Sequence, residues 1–111
     1  MLKDKVAAIW CRVSTSDQRE MSLDSQEEAV RKVLDKQGLE APPRYVLKVD
    51  WTSLDLMACP QFQQLRGWIA SGEISAVGVL DRDRLQSQGL QRLLFLSECQ
   101  EHGVSVITVQ G

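Results

Sequence analysis

The sequence has little of what many catalytic and binding classes require. It contains a single histidine, His102, placed beside Gly103 at the end of a helical pattern. A serine or cysteine nucleophile needs a base oriented by a third group, so a histidine-activated hydrolase is not supported. The three cysteines, Cys11, Cys59 and Cys99, are odd in number, far apart and without a CxxC pair. That argues against a disulfide framework or a zinc site, and for free thiols in a reducing compartment. No apolar run approaches the roughly 20 residues of a membrane span, and the start, Met-Leu-Lys-Asp-Lys, is too short and charged for a signal peptide. A cytoplasmic protein with no membrane partner is expected. Positive charge is also scarce: 13 Lys and Arg against 15 Asp and Glu give a net charge of −2. A free-standing nucleic-acid binder has a stronger basic footprint, so any anion must be held by local arginines or by a partner domain. A flavodoxin-like or receiver-like module would need a glycine-rich phosphate loop or a carboxylate cluster, and only scattered acids are present.

What is there is ordinary globular composition, 43% hydrophobic and 25% charged, over 111 residues, expected to form one domain over 1–111. Residues 6–9 with Trp10 form an apolar run typical of a strand buried on both faces. A helix is expected over 23–37, capped by Ser22, with Gln26, Val30, Val33, Leu34 and Gln37 on one face and Gly38-Leu39 as a Schellman stop. The connector 39–44 holds two adjacent prolines, a strand follows over 45–49, and 51–59 reads as a surface loop. Pro60 opens a second helix with Phe62, Leu65, Trp68 and Ile69 as its buried stripe and Ser71-Gly72 as its stop. Residues 74–80 form a third strand running into Asp81-Arg-Asp-Arg84, of which Asp81 and Arg82 read as solvated charges. A third helix over 88–101 is expected to turn Leu90, Leu93, Leu94, Ser97 and Cys99 inward, before a fourth strand at 104–109. This alternation predicts an α/β fold, three layers α/β/α around a mainly parallel four-stranded sheet of order 2-1-3-4.

Two strand ends then deliver Arg12, Ser14 and Gln18, and Asp83 and Arg84, to one edge of the sheet. Trp10-Cys-Arg12-Val-Ser14-Thr-Ser-Asp-Gln18 resembles the signature of the serine recombinases, the resolvase and DNA-invertase family. Ser22-Leu-Asp-Ser-Gln26 is similar to the opening of their first long helix, Asp50-Trp-Thr-Ser53 to a second active-site serine segment, and Asp83-Arg-Leu85 to the start of their Asp-Arg-Leu-Ser-Arg motif. The resemblance spans the whole chain and is closest in pattern to the large serine recombinases and transposon relatives.

The resemblance implies site-specific DNA strand exchange through a covalent link between Ser14 and a backbone phosphate, without metal or nucleotide cofactor. Double-stranded DNA would be the substrate, and a full-length form would work as a dimer or tetramer. Arg12 and Arg84 would hold the phosphate, which suits their fixed, forked donors. Asp83 would hold one of these arginines, and Gln18, Gln26 and Ser53 would orient the phosphate or the loop. The pattern departs at Cys59 and Ser87, where the family carries arginines, and at Leu54, where a glycine is usual. Arg66, Arg82 and Arg92 are the substitutes nearest in sequence. The family's dimerisation helix and DNA-binding domain have no counterpart before Gly111. The alternative function is a catalytically silent recombinase-like module acting through protein contacts.

Overall fold

The computed structural model describes residues 5–13, 21–53, 55–85 and 89–110, without the Asp83 side chain. Strands β1 (Ala7–Val13), β2 (Val46–Asp50), β3 (Ala76–Val79) and β4 (Ser105–Thr108) alternate with helices α1 (Leu23–Lys36), α2 (Pro60–Ser71) and α3 (Gly89–Glu101). All strand pairs are parallel, and the order is β2-β1-β3-β4, as the alternation predicts. In β1, Ala7, Ala8, Ile9, Trp10 and Cys11 are fully buried, which explains its unbroken apolar run at the centre of a covered sheet.

The helix ends follow local chemistry. The Ser22 hydroxyl accepts the Ser25 N–H at 3.1 Å, capping α1. At the other end Leu39 N–H donates to Leu34 O at 3.0 Å and Gly38 N–H to Asp35 O at 3.1 Å, a Schellman ending. Gly38 adopts φ 71°, a conformation that a Cβ would penalise. Gly72 and Gly103 close α2 and α3 in the same way.

The faces of the sheet differ. On one, α1 lays Val30 and Leu34 on Ala7, Ile9, Cys11 and Ala76. A Cβ added at Gly78 would lie 2.5 Å from Val30 Cγ1, so α1 rests on bare β3 backbone. On the other, α2 and α3 cover an aromatic centre. Phe62 packs edge-on against Trp10 with centroids 5.6 Å apart, and tilted against Phe95 at 5.2 Å. Tyr45 and Trp68 meet edge-on at 4.9 Å beside this cluster. The expected packing roles of Trp10 and Trp68 are what the structure shows.

Two expectations need correction. Residues 51–59 are not all surface: the 3-10 turn Leu56–Ala58, capped by the Asp55 carboxylate, buries Leu56, and Cys59 after it is fully buried. On α3, Leu90, Leu93 and Leu94 do not point inward; they are 73%, 64% and 50% exposed. Phe95 and Cys99, one turn apart, face the core instead. The helix carries apolar residues on opposite sides, and the larger ring, with Phe62 to pack against, sets its rotation. Among the described residues no helix is long and apolar enough to cross a membrane.

Candidate active site at the carboxyl edge of the sheet

Strand β1 outruns its neighbour on one side. Its residues pair with β2 as far as Val13, opposite Asp50, but on the β3 side the last pair is Trp10 with Val79. Trp51 N–H bonds to Val13 O at 3.0 Å on the β2 side. Strand alternation therefore turns the N–H and C=O of Arg12 toward the place where β3 has already ended. Buried backbone groups need partners. Gln26, fully buried in the first turns of α1, supplies them: its Oε1 accepts Arg12 N–H at 3.2 Å, and its Nε2 donates to Arg12 O at 3.0 Å. A further bond, from Nε2 to Met21 O at 2.9 Å, ties the chain entering the helix to the same amide. The side chain of Gln26 thus replaces a strand at the position preceding Val13 and Ser14.

The side chain of Arg12 leaves the opposite face, above Trp10. Its Nη1 donates to Trp51 O at 2.8 Å and its Nε to Arg84 O at 3.3 Å. Arg84, from the 3-10 turn Arg82–Leu85, answers by donating Nη1 to Arg12 O at 3.0 Å. Each arginine holds the main chain of the other, and the Trp10 indole fixes the turn further by donating to Arg84 O at 2.7 Å. Two like charges are held side by side by carbonyl dipoles. Asp81 Oδ2 lies 3.6 Å from Arg84 Nε, while Asp81 Oδ1 is buried without a hydrogen-bond partner among the described residues. Asp81 is therefore not the solvated charge expected from sequence but a half-buried counterion. Its signal was the i,i+3 spacing to Arg84.

The other candidates are placed as follows. Ser53 is exposed, and its hydroxyl accepts Asp55 N–H at 3.0 Å in the turn after β2, where residues 50–53 line an open depression. Asp83 has its backbone in the Arg82–Leu85 turn. Ser14, Gln18 and Ser87 lie outside the described residues, as do Leu54 and the Asp83 side chain. Cys59 is enclosed in the aromatic core just before α2, its thiol 3.4 Å from Gln61 Oε1. Among the candidate substitutes, Arg66 is committed to Glu98 through bonds of 2.8 and 2.6 Å. Arg82 and Arg92 line a cavity against α3 and β4. Burial pushes the Cys11 thiol up to about 12 and the Cys99 thiol up to about 11, which favours the protonated form of both.

The carboxyl edge of this parallel sheet thus carries two guanidinium groups side by side, each holding the other's main chain. A sequence profile of the resolvase N-terminal domain matches residues 7–111. The chain belongs to the resolvase N-terminal domain family. Solved structures agree on the fold of this resolvase domain. The C-terminal catalytic domain of ISC1926 TnpA, an IS607-like serine recombinase, superposes with a TM-score of 0.79 at 24% identity, covering 96% of this chain and 70% of that one. The N-terminal catalytic domain of TP901-1 integrase gives 0.75 at 23% identity, covering 95% and 77%. A serine recombinase from Sulfolobus solfataricus gives 0.67 at 25% identity, covering 98% and 71%. No curated protein matches the resolvase domain closely enough to count as a relative.

Proposed function

We propose that the domain cuts and rejoins double-stranded DNA, with Ser14 as the nucleophile and Arg12 and Arg84 on the scissile phosphate. The observation that carries this reading is the interlocked Arg12–Arg84 pair at the end of β1, two residues ahead of Ser14. As the bond from Ser14 Oγ to phosphorus forms, one P–O bond of the DNA strand breaks and a deoxyribose hydroxyl is released. Negative charge rises on the phosphoryl oxygens, and preorganised cations stabilise it without reorganising at the moment of reaction. Arg12 Nη2 has no partner among the described residues and would donate to such an oxygen. The covalent link conserves the phosphodiester's energy, so rejoining to a new strand end needs no nucleotide. Each chain has one Ser14 and strand exchange has more than one strand to cut, so copies of the chain would act together. Gln26 serves as a positioning residue, through the Arg12 main chain.

A second reading has its own observation. Cys59, which stands where the family carries an arginine, is sealed in the core, and Arg66 is bound to Glu98 rather than free to compensate. A domain short of cations would be a silent module acting through a partner protein. One assay separates the two: the intact protein is incubated with a randomised pool of duplexes nicked in one strand, and covalent adducts are collected under denaturing conditions. The active reading expects an adduct on the Ser14 peptide that Ser14→Ala abolishes and Arg12→Ala reduces by about a hundred- to a thousandfold. Absence of any adduct from the intact protein selects the silent module.

A further inference from the structure

We propose that the cavity between the Arg82–Leu85 turn, α3 and the edge strand β4 binds a small carboxylate with an apolar body, an aromatic or branched-chain acid. The cavity encloses about 110 Å³ and is lined by Arg82, Leu85, Arg92, Phe95, Leu96 and Val106. Its floor is apolar: Phe95 and Leu85 are buried core residues, and Val106 packs against the same cluster. The space is smaller than the dry cavity of about 150 Å³ that accommodates benzene, so it suits one branched aliphatic group or a compact ring whose edge stays at the rim.

The rim has the opposite character. Arg82 and Arg92 are the only charged residues lining the cavity among those described, and neither has a hydrogen-bond or ion-pair partner among the described residues. Of the acids whose side chains are described, Asp81 lies 3.6 Å from Arg84 Nε and Glu98 is engaged with Arg66. Two guanidinium groups without a partner among the described residues, over an apolar floor, therefore stand out on a chain of net charge −2. Forked guanidinium donors pair well with a carboxylate, and the apolar body of the ligand would fill the space behind it. A DNA phosphate has no apolar part to place on Phe95 and Leu85, and burying its oxygens there would cost their hydration. The site is separate from the proposed phosphate cradle. The same turn sends the Arg84 guanidinium to Arg12 O, while Arg82 lines the cavity.

The ligand chemistry, an apolar group next to a carboxylate, has two sources: a free acid or the C-terminal residue of a polypeptide. The test uses the 111-residue chain with labelled leucine and valine methyls, titrated with 3-phenylpropionate and, separately, with N-acetylphenylalanine. Saturable shifts confined to Leu85, Leu96 and Val106 are expected. Arg82→Gln and Arg92→Gln should each weaken binding by about tenfold or more, with an unchanged spectrum elsewhere. Tighter binding of N-acetylphenylalanine points to a chain terminus, and tighter binding of 3-phenylpropionate to a free acid. The proposal is overturned if no saturable shift appears, if 3-phenylpropionamide binds as well as the acid, or if inorganic phosphate displaces it at equal concentration.

Discussion

The two faces of the sheet hold the end of β1 by different means. On the α1 side, small residues bring the helix close, with Gly78 leaving room for Val30 and Leu34, and a single amide, Gln26, clasps the main chain of Arg12. On the α2 and α3 side, large rings fill the space, and Trp10, Arg12 and Arg84 reach carbonyls from above them. One face fixes where the backbone runs; the other aims the charged groups. The difference teaches that stability and site geometry are carried by different residues, which substitutions can separate.

The largest stability effect belongs to the aromatic side. Phe62→Ala removes a buried ring standing between Trp10 and Phe95 and is expected to cost about 3–5 kcal/mol in urea unfolding. A loss below about 1 kcal/mol would mean that the three rings do not form the packed unit described. The amide clasp should behave in reverse. Gln26→Met keeps the volume but leaves the buried Arg12 N–H and Met21 O without their partner, a cost of about 1–3 kcal/mol for a buried unsatisfied group. If the proposed chemistry holds, Gln26→Met should lose more DNA adduct than Phe62→Ala when both are assayed folded, although it is the less destabilised. Equal adduct yields would show that the amide is only structural.

The sequence carried the architecture because each element had its own signal: an apolar run for β1, Ser22 and Gly38 for the ends of α1, Pro60 for the start of α2. Parallel strands joined by helices leave few topologies, so the sheet order followed. The meeting of Arg12 and Arg84 was legible in outline, since both sit at strand ends on one edge. What they hold was not. Backbone carbonyls such as Trp51 O and Arg84 O have no residue-type signature, and Gln26 looked like a ligand-facing residue until the early end of β3 showed which groups lacked partners. Helix α3 failed for another reason: leucines on one side and Phe95 with Cys99 on the other satisfy the same periodicity, and only the neighbouring Phe62 decides between them. Nothing in sequence distinguishes a surface Cys59 from one sealed under the aromatic cluster.

The smallest effect sharpens the comparison through pH. On the aromatic face Arg66 braces α2 to α3 by gripping Glu98, and that hydrogen-bonded pairing holds the Glu98 carboxyl below its ordinary value. A carboxylate with a depressed folded pKa adds stability that is complete above its unfolded value and is lost as pH falls through the folded one. Both side chains are about 30% accessible to solvent, so the expected contribution is about 0.5–1 kcal/mol at neutral pH. On the α1 face Lys48 lowers Asp24 and Glu27 in the same direction, so the whole protein's acid sensitivity mixes the two faces. The difference between the native chain and Glu98→Gln isolates one of them. It should be constant above about pH 5 and shrink toward zero as acid protonates Glu98. A difference that stayed constant down to pH 3 would mean that the glutamine substitution acts through packing, and that the brace between α2 and α3 is not ionic.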